Sequence, residues 1–161
     1  MRSERLTRRK AGTWFGEKVE LDGYKFDSQK EAKFYEKFIK NSGFKYEVHK
    51  RFQLFPMFEL LNGALRIRSI SYTPDFILYD DDGNLQHVID VKNSFTSFAI
   101  DVAAAMRFKL FAYVYKVPVE VVVPKAHSFR VKITGTTKKF NPVEKTDFVY
   151  SIERLCQEAI K

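Results

Sequence analysis

The chain of 161 residues carries 28 Lys and Arg against 20 Asp and Glu, a net charge of +8, with 45% hydrophobic and 16% aromatic residues. That length suits one domain with a real core, and so apolar a composition excludes a disordered tail. The lone Cys156 excludes an internal disulfide and points to a reducing, cytoplasmic setting; no apolar run approaches the roughly 20 residues of a membrane span, and the basic first ten residues do not read as a secretory signal. The basic excess either favours a polyanionic partner, nucleic acid being the commonest, or serves solubility alone.

In chain order, residues 1–13 read as a basic N-terminal arm and 14–161 as a single domain. Residues 17–26 alternate loosely, as a short strand would. Residues 27–40 form a predicted helix, stopped by Asn41-Ser42-Gly43. Residues 44–55 read as one strand closed by Pro56, and 65–72 as another. Residues 74–79 and 85–92 flank Asp80-Asp81-Asp82-Gly83-Asn84, a strong hairpin signal. Residues 96–115 read as a long helix, apolar on nearly every side and therefore expected to be buried. Residues 118–124 suit a central strand, 129–133 another strand, and 147–160 a terminal helix. Helices interleaved with strands imply an α/β fold, a mixed β-sheet core flanked by helices.

The hairpin brings chemistry together. With a two-residue turn at Asp82-Gly83, Asp75 falls directly opposite Asp90, and Lys92 projects to the same face. Opposed carboxylates repel, and a divalent cation ligated by both removes the conflict. Lys92 would then hold or deprotonate an attacking water, or neutralise charge developing on a phosphate. The bland reading makes Asp75 a turn residue and Asp90 with Lys92 an edge-strand pair, and a bulge would spoil the register. Glu31 also has two readings. It lies in the apolar stripe of its helix with Ala32, Phe34, Tyr35, Phe38 and Ile39, so it needs a partner such as a metal. Ser28 three residues earlier makes it equally the glutamate of a capping box.

A helix-borne Glu31, the strand-opening Pro74-Asp75 and the triplet Asp90-Val91-Lys92 resemble the active-site pattern of the PD-(D/E)XK nuclease superfamily. Within it the chain is similar to small phage-encoded endonucleases of a domain-of-unknown-function group, to the nuclease subunit of certain transposases and to Holliday-junction resolvases. The likeness spans roughly residues 20–125. It implies a restriction-endonuclease-like sheet and metal-dependent hydrolysis of DNA phosphodiesters, with Mg²⁺ or Mn²⁺ as cofactor. It further implies a role in phage recombination or DNA processing in the host-cell cytoplasm, and a homodimer. Glu31, Asp75 and Asp90 would be the metal ligands and Lys92 the fourth catalytic residue. Many members carry Glu where this chain has Asp90. Relatives also place a basic residue or Gln on the helix that follows, where Arg107 and Lys109 are the candidates.

For DNA binding the expected residues are Arg8, Arg9 and Lys10 of the arm, then Arg51, Arg66, Arg68 and Lys109, contacts that would position phosphate without reading sequence. Each suits a solvated surface equally well. A second basic group comprises Lys125, Arg130, Lys132, Lys138 and Lys139. His49, His87 and His127 are too scattered in sequence to suggest a zinc site, and no glycine-rich phosphate loop is visible. Three alternatives stand beside the general nuclease: a junction resolvase, a catalytically silent DNA-binding protein of the same fold, and an RNA-processing nuclease.

Overall fold

The computed structural model describes residues 18–161, and its first elements follow the punctuation of the sequence. β1 (Val19–Leu21) and β2 (Tyr24–Phe26) form a hairpin across Asp22 and Gly23, both left-handed with φ of 52° and 81°. Two such residues make the tight turn whose twist matches the strands. α1 (Gln29–Phe34) begins at Ser28, whose Oγ accepts from the Glu31 amide, and continues as a π-helical turn over Tyr35–Ile39.

The single strand expected over residues 44–55 is two strands. β3 (Lys45–Val48) ends at His49, where φ is 53°, and the chain leaves the main sheet before resuming as β4 (Phe52–Phe55). β5 (Phe58–Leu60) pairs with β6 (Leu65–Ile67) in a separate hairpin, and β7 (Ile70–Tyr72) pairs with β4. The strand expected over 65–72 is therefore divided as well. Both breaks interrupt runs of uniformly strand-like composition, and a left-handed His leaves no trace in hydrophobic alternation.

β8 (Phe76–Tyr79), β9 (Leu85–Val91), β10 (Val119–Pro124), β11 (Phe129–Lys132) and β12 (Val143–Lys145) complete the main sheet. Its order is β12-β11-β10-β9-β8-β3, with β10 well inside, as its valine-rich run, interrupted only by Glu120, implies. β9 and β10 are parallel and the other pairs antiparallel, so the sheet is mixed. Parallel neighbours need a crossover, and α2 (Val102–Tyr115) lies within it. α3 (Ile152–Ala159) ends the chain.

Alternation along the strands sorts side chains into two cores. Phe76, Leu78 and Ile89 pack with Phe34, Tyr35 and Ile39 of the first helix and Leu155 of α3. Ile77, Val88, Val119 and Val121 pack with Phe108 and Phe111 of α2 and with Phe52, Leu54 and Tyr72 of the β4–β7 ribbon. The protein is thus a mixed α/β fold, a six-stranded sheet with helical layers on both faces. No described helix is long and apolar enough to cross a membrane.

α2 corrects the sequence reading. It starts at the Asp101 cap rather than at residue 96, and only Phe108 and Phe111 are buried. Val102, Met106 and Tyr113 face outward. A helix apolar on all sides gives no preferred face, so its pattern cannot tell a central helix from an outer layer lying on one stripe. α3 likewise begins at its Ser151 cap, not at residue 147.

A polar cluster crosses the core beneath the C-terminal segment. His87 and Glu120 are fully buried, with His87 Nδ1 2.7 Å from Glu120 Oε2. His87 Nε2 lies 3.0 Å from the Phe148 carbonyl, which can only accept, so this nitrogen carries a proton. The Tyr150 hydroxyl donates to Glu120 Oε1 at 2.6 Å. One further proton is shared between ring and carboxylate, and the cluster fastens residues 148–150 to β9 and β10. Breaking such a buried pair costs about 3–5 kcal/mol, so His87→Leu should lose that much stability in urea unfolding. Adding Glu120→Gln, which removes the orphaned charge while keeping an acceptor for Tyr150, should restore more than half of the loss.

Candidate metal centre

Three neighbouring strands set the site in register. Phe76, Ile77 and Leu78 pair with Ile89, Val88 and His87, the register expected from the sequence, and its continuation sets Asp75 beside Asp90. The turn that produces this register differs from the expected one. Asp80 and Asn84 close a three-residue loop ending in left-handed Gly83, and a bulge at Gln86 then shifts β9 by one residue. The longer loop and the bulge compensate. On the other side β3 pairs with β8 so that His49 follows in line with Asp75. The Asp75 amide donates to the Ile89 carbonyl at 3.0 Å, and its own carbonyl accepts from the His49 amide at 3.1 Å.

The side chains diverge from the expected face-to-face carboxylates. Asp75 Oδ2 accepts from the Val91 amide at 2.6 Å. Asp90 is buried, its Oδ2 accepting from the Tyr72 hydroxyl at 2.8 Å. The Lys92 ammonium lies 2.7 Å from Asp90 Oδ1 but is not aligned as a hydrogen bond, which leaves that buried oxygen without a hydrogen-bond partner among the described residues. Glu31 comes from α1 and is buried too, and the two readings of its role both contribute. Its amide is capped by Ser28, whereas its carboxylate does not return to the helix start; Oε1 meets His49 Nε2 at 2.5 Å. Ligand atoms of Glu31, His49 and Asp75 all lie within 4.8 Å of one another, while Asp90 adjoins this group without belonging to it. A cavity of about 590 Å³ opens over them, lined by Glu31, Asp75 and Lys92 and rimmed by Lys18 and Lys30.

The electrostatics express an excess of negative charge. Asp75 is held well above the usual carboxylate range, first by burial, then by the charges of Asp90 and Glu31, while the Val91 amide and Lys92 act against them. His49 is raised above its usual range because Glu31 hydrogen-bonds to it, an effect that burial opposes. For Lys92 burial acts to lower the value, but Asp90 and Asp75 together outweigh it, and the amine is raised. Lys92 is therefore a firmly protonated cation. The raised Asp75 and His49 show the metal-free centre offsetting its gathered carboxylates with protons, which a divalent cation would displace. The donor set of Glu31, His49 and Asp75 fits such an ion.

Of the residues read from the sequence, Glu31, Asp75, Asp90 and Lys92 do converge. The expected DNA-binding residues do not join them. Arg51 is exposed just after the β3 break, and Arg66 and Arg68 belong to or follow the β5–β6 hairpin, where Arg66 pairs with Glu59 at 2.8 Å. The Lys109 stem runs across Gly135, and Arg107 is exposed; neither lines the cavity. Arg8, Arg9 and Lys10 lie outside the described residues. Sequence reading missed His49, Lys18 and Lys30. His49 was legible only through the β3–β8 register, which needs the strand to end where no composition signal ends it.

The raised Asp75 value has a consequence for stability. In the unfolded chain this carboxyl titrates near its ordinary 3.8, and in the folded protein it holds its proton to higher pH. Folding therefore weakens as pH rises from below that value through the raised one. Asp75→Asn should stabilise the metal-free protein at neutral pH by about 1 kcal/mol, roughly 2–4 °C in thermal unfolding with a chelator present. The advantage over wild type should vanish at acid pH, where the wild-type carboxyl is already neutral.

No curated protein and no solved structure matches the chain. A family model does match, over residues 12–130, and its description is a protein of unknown function, DUF1064. The matched span contains α1, the β3 break at His49, Asp75, Asp90, Lys92 and α2, so every side chain of the centre falls inside it. The chain belongs to the DUF1064 family.

Proposed function

We propose that the protein is a metal-dependent endonuclease of the PD-(D/E)XK type that hydrolyses DNA phosphodiesters, consistent with its mixed sheet between helical layers. The observation that carries this reading is convergence. Glu31 from a helix, Asp75 from the start of one strand and Asp90 with Lys92 from the end of the next meet beneath one cavity bordered by lysines.

Asp75 and Glu31 supply hard oxygen ligands, and Asp90 adds a buried carboxylate beside them, paired with Lys92. A divalent cation, when bound, supplies Lewis-acid polarisation of a phosphate oxygen and neutralises developing charge. The chain's own groups do the rest. Tyr72 and Lys92 hold Asp90 in place. Lys92, raised rather than lowered, serves as a cation that stabilises negative charge on the phosphate and not as the base that takes a proton from water. The proton of an attacking water passes instead to a carboxylate or to solvent. Lys18 and Lys30 border the cavity where a phosphate backbone would enter, and their contacts are independent of sequence.

The test is cleavage of labelled linear and four-way-junction DNA by wild type, Asp75→Ala and Lys92→Ala, with Mg²⁺, Mn²⁺ or a chelator. Wild type should cut only with metal, and each variant should lose about 100-fold or more in rate while remaining folded. Faster cutting of the junction would make the enzyme a resolvase. A folded wild type that binds DNA and cuts neither substrate with either metal would leave a DNA-binding protein and overturn the nuclease reading.

A further inference from the structure

His49 is not needed by the reading above, yet its ring stands beside Glu31 and Asp75. Its backbone is left-handed, with φ of 53°, an uncommon state for a residue bearing a side chain. Its amide is tied to the Asp75 carbonyl. Its ring rests edge-on against Phe26 at 6.0 Å, with Nε2 on Glu31 Oε1. The ring is thus held from both sides, and a ring atom, a Glu31 oxygen and an Asp75 oxygen lie within 4.8 Å of one another. Bonds of about 2.1 Å in an octahedron place ligand atoms about 3–4.2 Å apart, so the His49–Glu31 contact of 2.5 Å opens by about half an ångström as an ion replaces the proton between them. Beside them the Asp90 carboxylate is already partnered, by the Tyr72 hydroxyl and the Lys92 ammonium, so an ion would take its ligands from the other three residues.

We infer that Glu31, His49 and Asp75 form a mixed nitrogen–oxygen site that binds a first-row transition ion in preference to Mg²⁺, with His49 as its nitrogen ligand. The chemistry lies in the donor set. Mg²⁺ favours oxygen ligands and gives up its waters reluctantly. Imidazole nitrogen gains more from ions of the transition series, of which Mn²⁺ is the weakest binder and hence the most demanding probe. This inference rests on the metal reading of the centre but not on the identity of the substrate that is cut.

Mn²⁺ binding is measured by loss of the free-ion paramagnetic resonance signal, with Mg²⁺ as competitor, for wild type, His49→Gln and Asp75→Asn. Electron spin-echo spectra of the bound ion report directly on nitrogen ligation and require no variant to fold. Wild type should show nitrogen modulation and bind Mn²⁺ at least about tenfold more tightly than Mg²⁺. His49→Gln should lose the modulation and most of that preference, and Asp75→Asn should lose the bound ion. Bound Mn²⁺ without nitrogen modulation in wild type would mean an all-oxygen site and overturn the inference while leaving the nuclease reading intact. Nitrogen-coupled Mn²⁺ that persists in Asp75→Asn would place the ion elsewhere and overturn it too. A folded wild type that binds neither ion would overturn it as well, and metal-dependent cutting would then decide separately whether the nuclease reading stands.

Discussion

Carboxylates gathered at one end of two neighbouring strands are the constraint around which this protein is arranged. Asp75 and Asp90 occupy adjacent register positions because β8 and β9 pair as they do, and Glu31 is brought to them by α1. Burial and mutual repulsion raise Asp75, and the Lys92 ammonium acts to lower it. Folding tolerates such a cluster only because the surrounding apolar layers are large. Phe34, Tyr35, Phe76, Phe111 and Phe129 are almost entirely buried, and each fully buried side chain of this size contributes about 1.5–3 kcal/mol. The centre is thus a local electrostatic cost carried by the packing of the sheet, a pattern more often found at functional than at purely structural sites.

Two of the buried acids, Glu120 and Asp90, are handled in opposite ways. Glu120 is enclosed by His87 and Tyr150, with each carboxylate oxygen bonded, and no further ligand is called for. Asp90 has one oxygen bonded by Tyr72 and the other paired with the Lys92 ammonium, which itself lines the cavity. Both acids lie on strands inside the same sheet, so the difference does not come from depth. It comes from completeness. The first cluster is closed and fastens the C-terminal segment, while the second is open on the side from which an ion and a phosphate would arrive.

How much of this was legible in sequence follows from which interactions are local. The helix start at Ser28, the β8–β9 hairpin and the central β10 were readable because caps, turn residues and apolar runs act over a few positions. The Asp75–Asp90 register was reached although the turn is longer than expected, since the bulge at Gln86 restores it. The outward faces of α2 were not readable, because Val102, Met106 and Tyr113 have the composition of core residues and nothing in an all-apolar helix marks the outer layer. The basic residues chosen for DNA contact failed to collect at the cavity for a similar reason. Charge in the sequence carries no direction, and Lys18 and Lys30 became distinguishable from Arg66 only once the strands had placed them.

The break at His49 bears on all three acids at once. Had residues 44–55 formed one continuous strand, β3 would have continued along β8 and beyond it, with no β4 turned onto the other face of the sheet. The left-handed turn at His49 ends that pairing and sends the chain into the β4–β7 ribbon. That ribbon ends in Tyr72, whose hydroxyl fixes Asp90, and three residues later the chain reaches Asp75. The same turn swings the His49 ring onto Glu31. One unfavourable backbone conformation therefore places a ring against the first acid, positions the tyrosine that orients the second, and sets where the third enters the sheet. A conformation costing of order 1–3 kcal/mol persists only when its surroundings over-determine it. Here those surroundings are the centre itself, so the strain and the site account for one another.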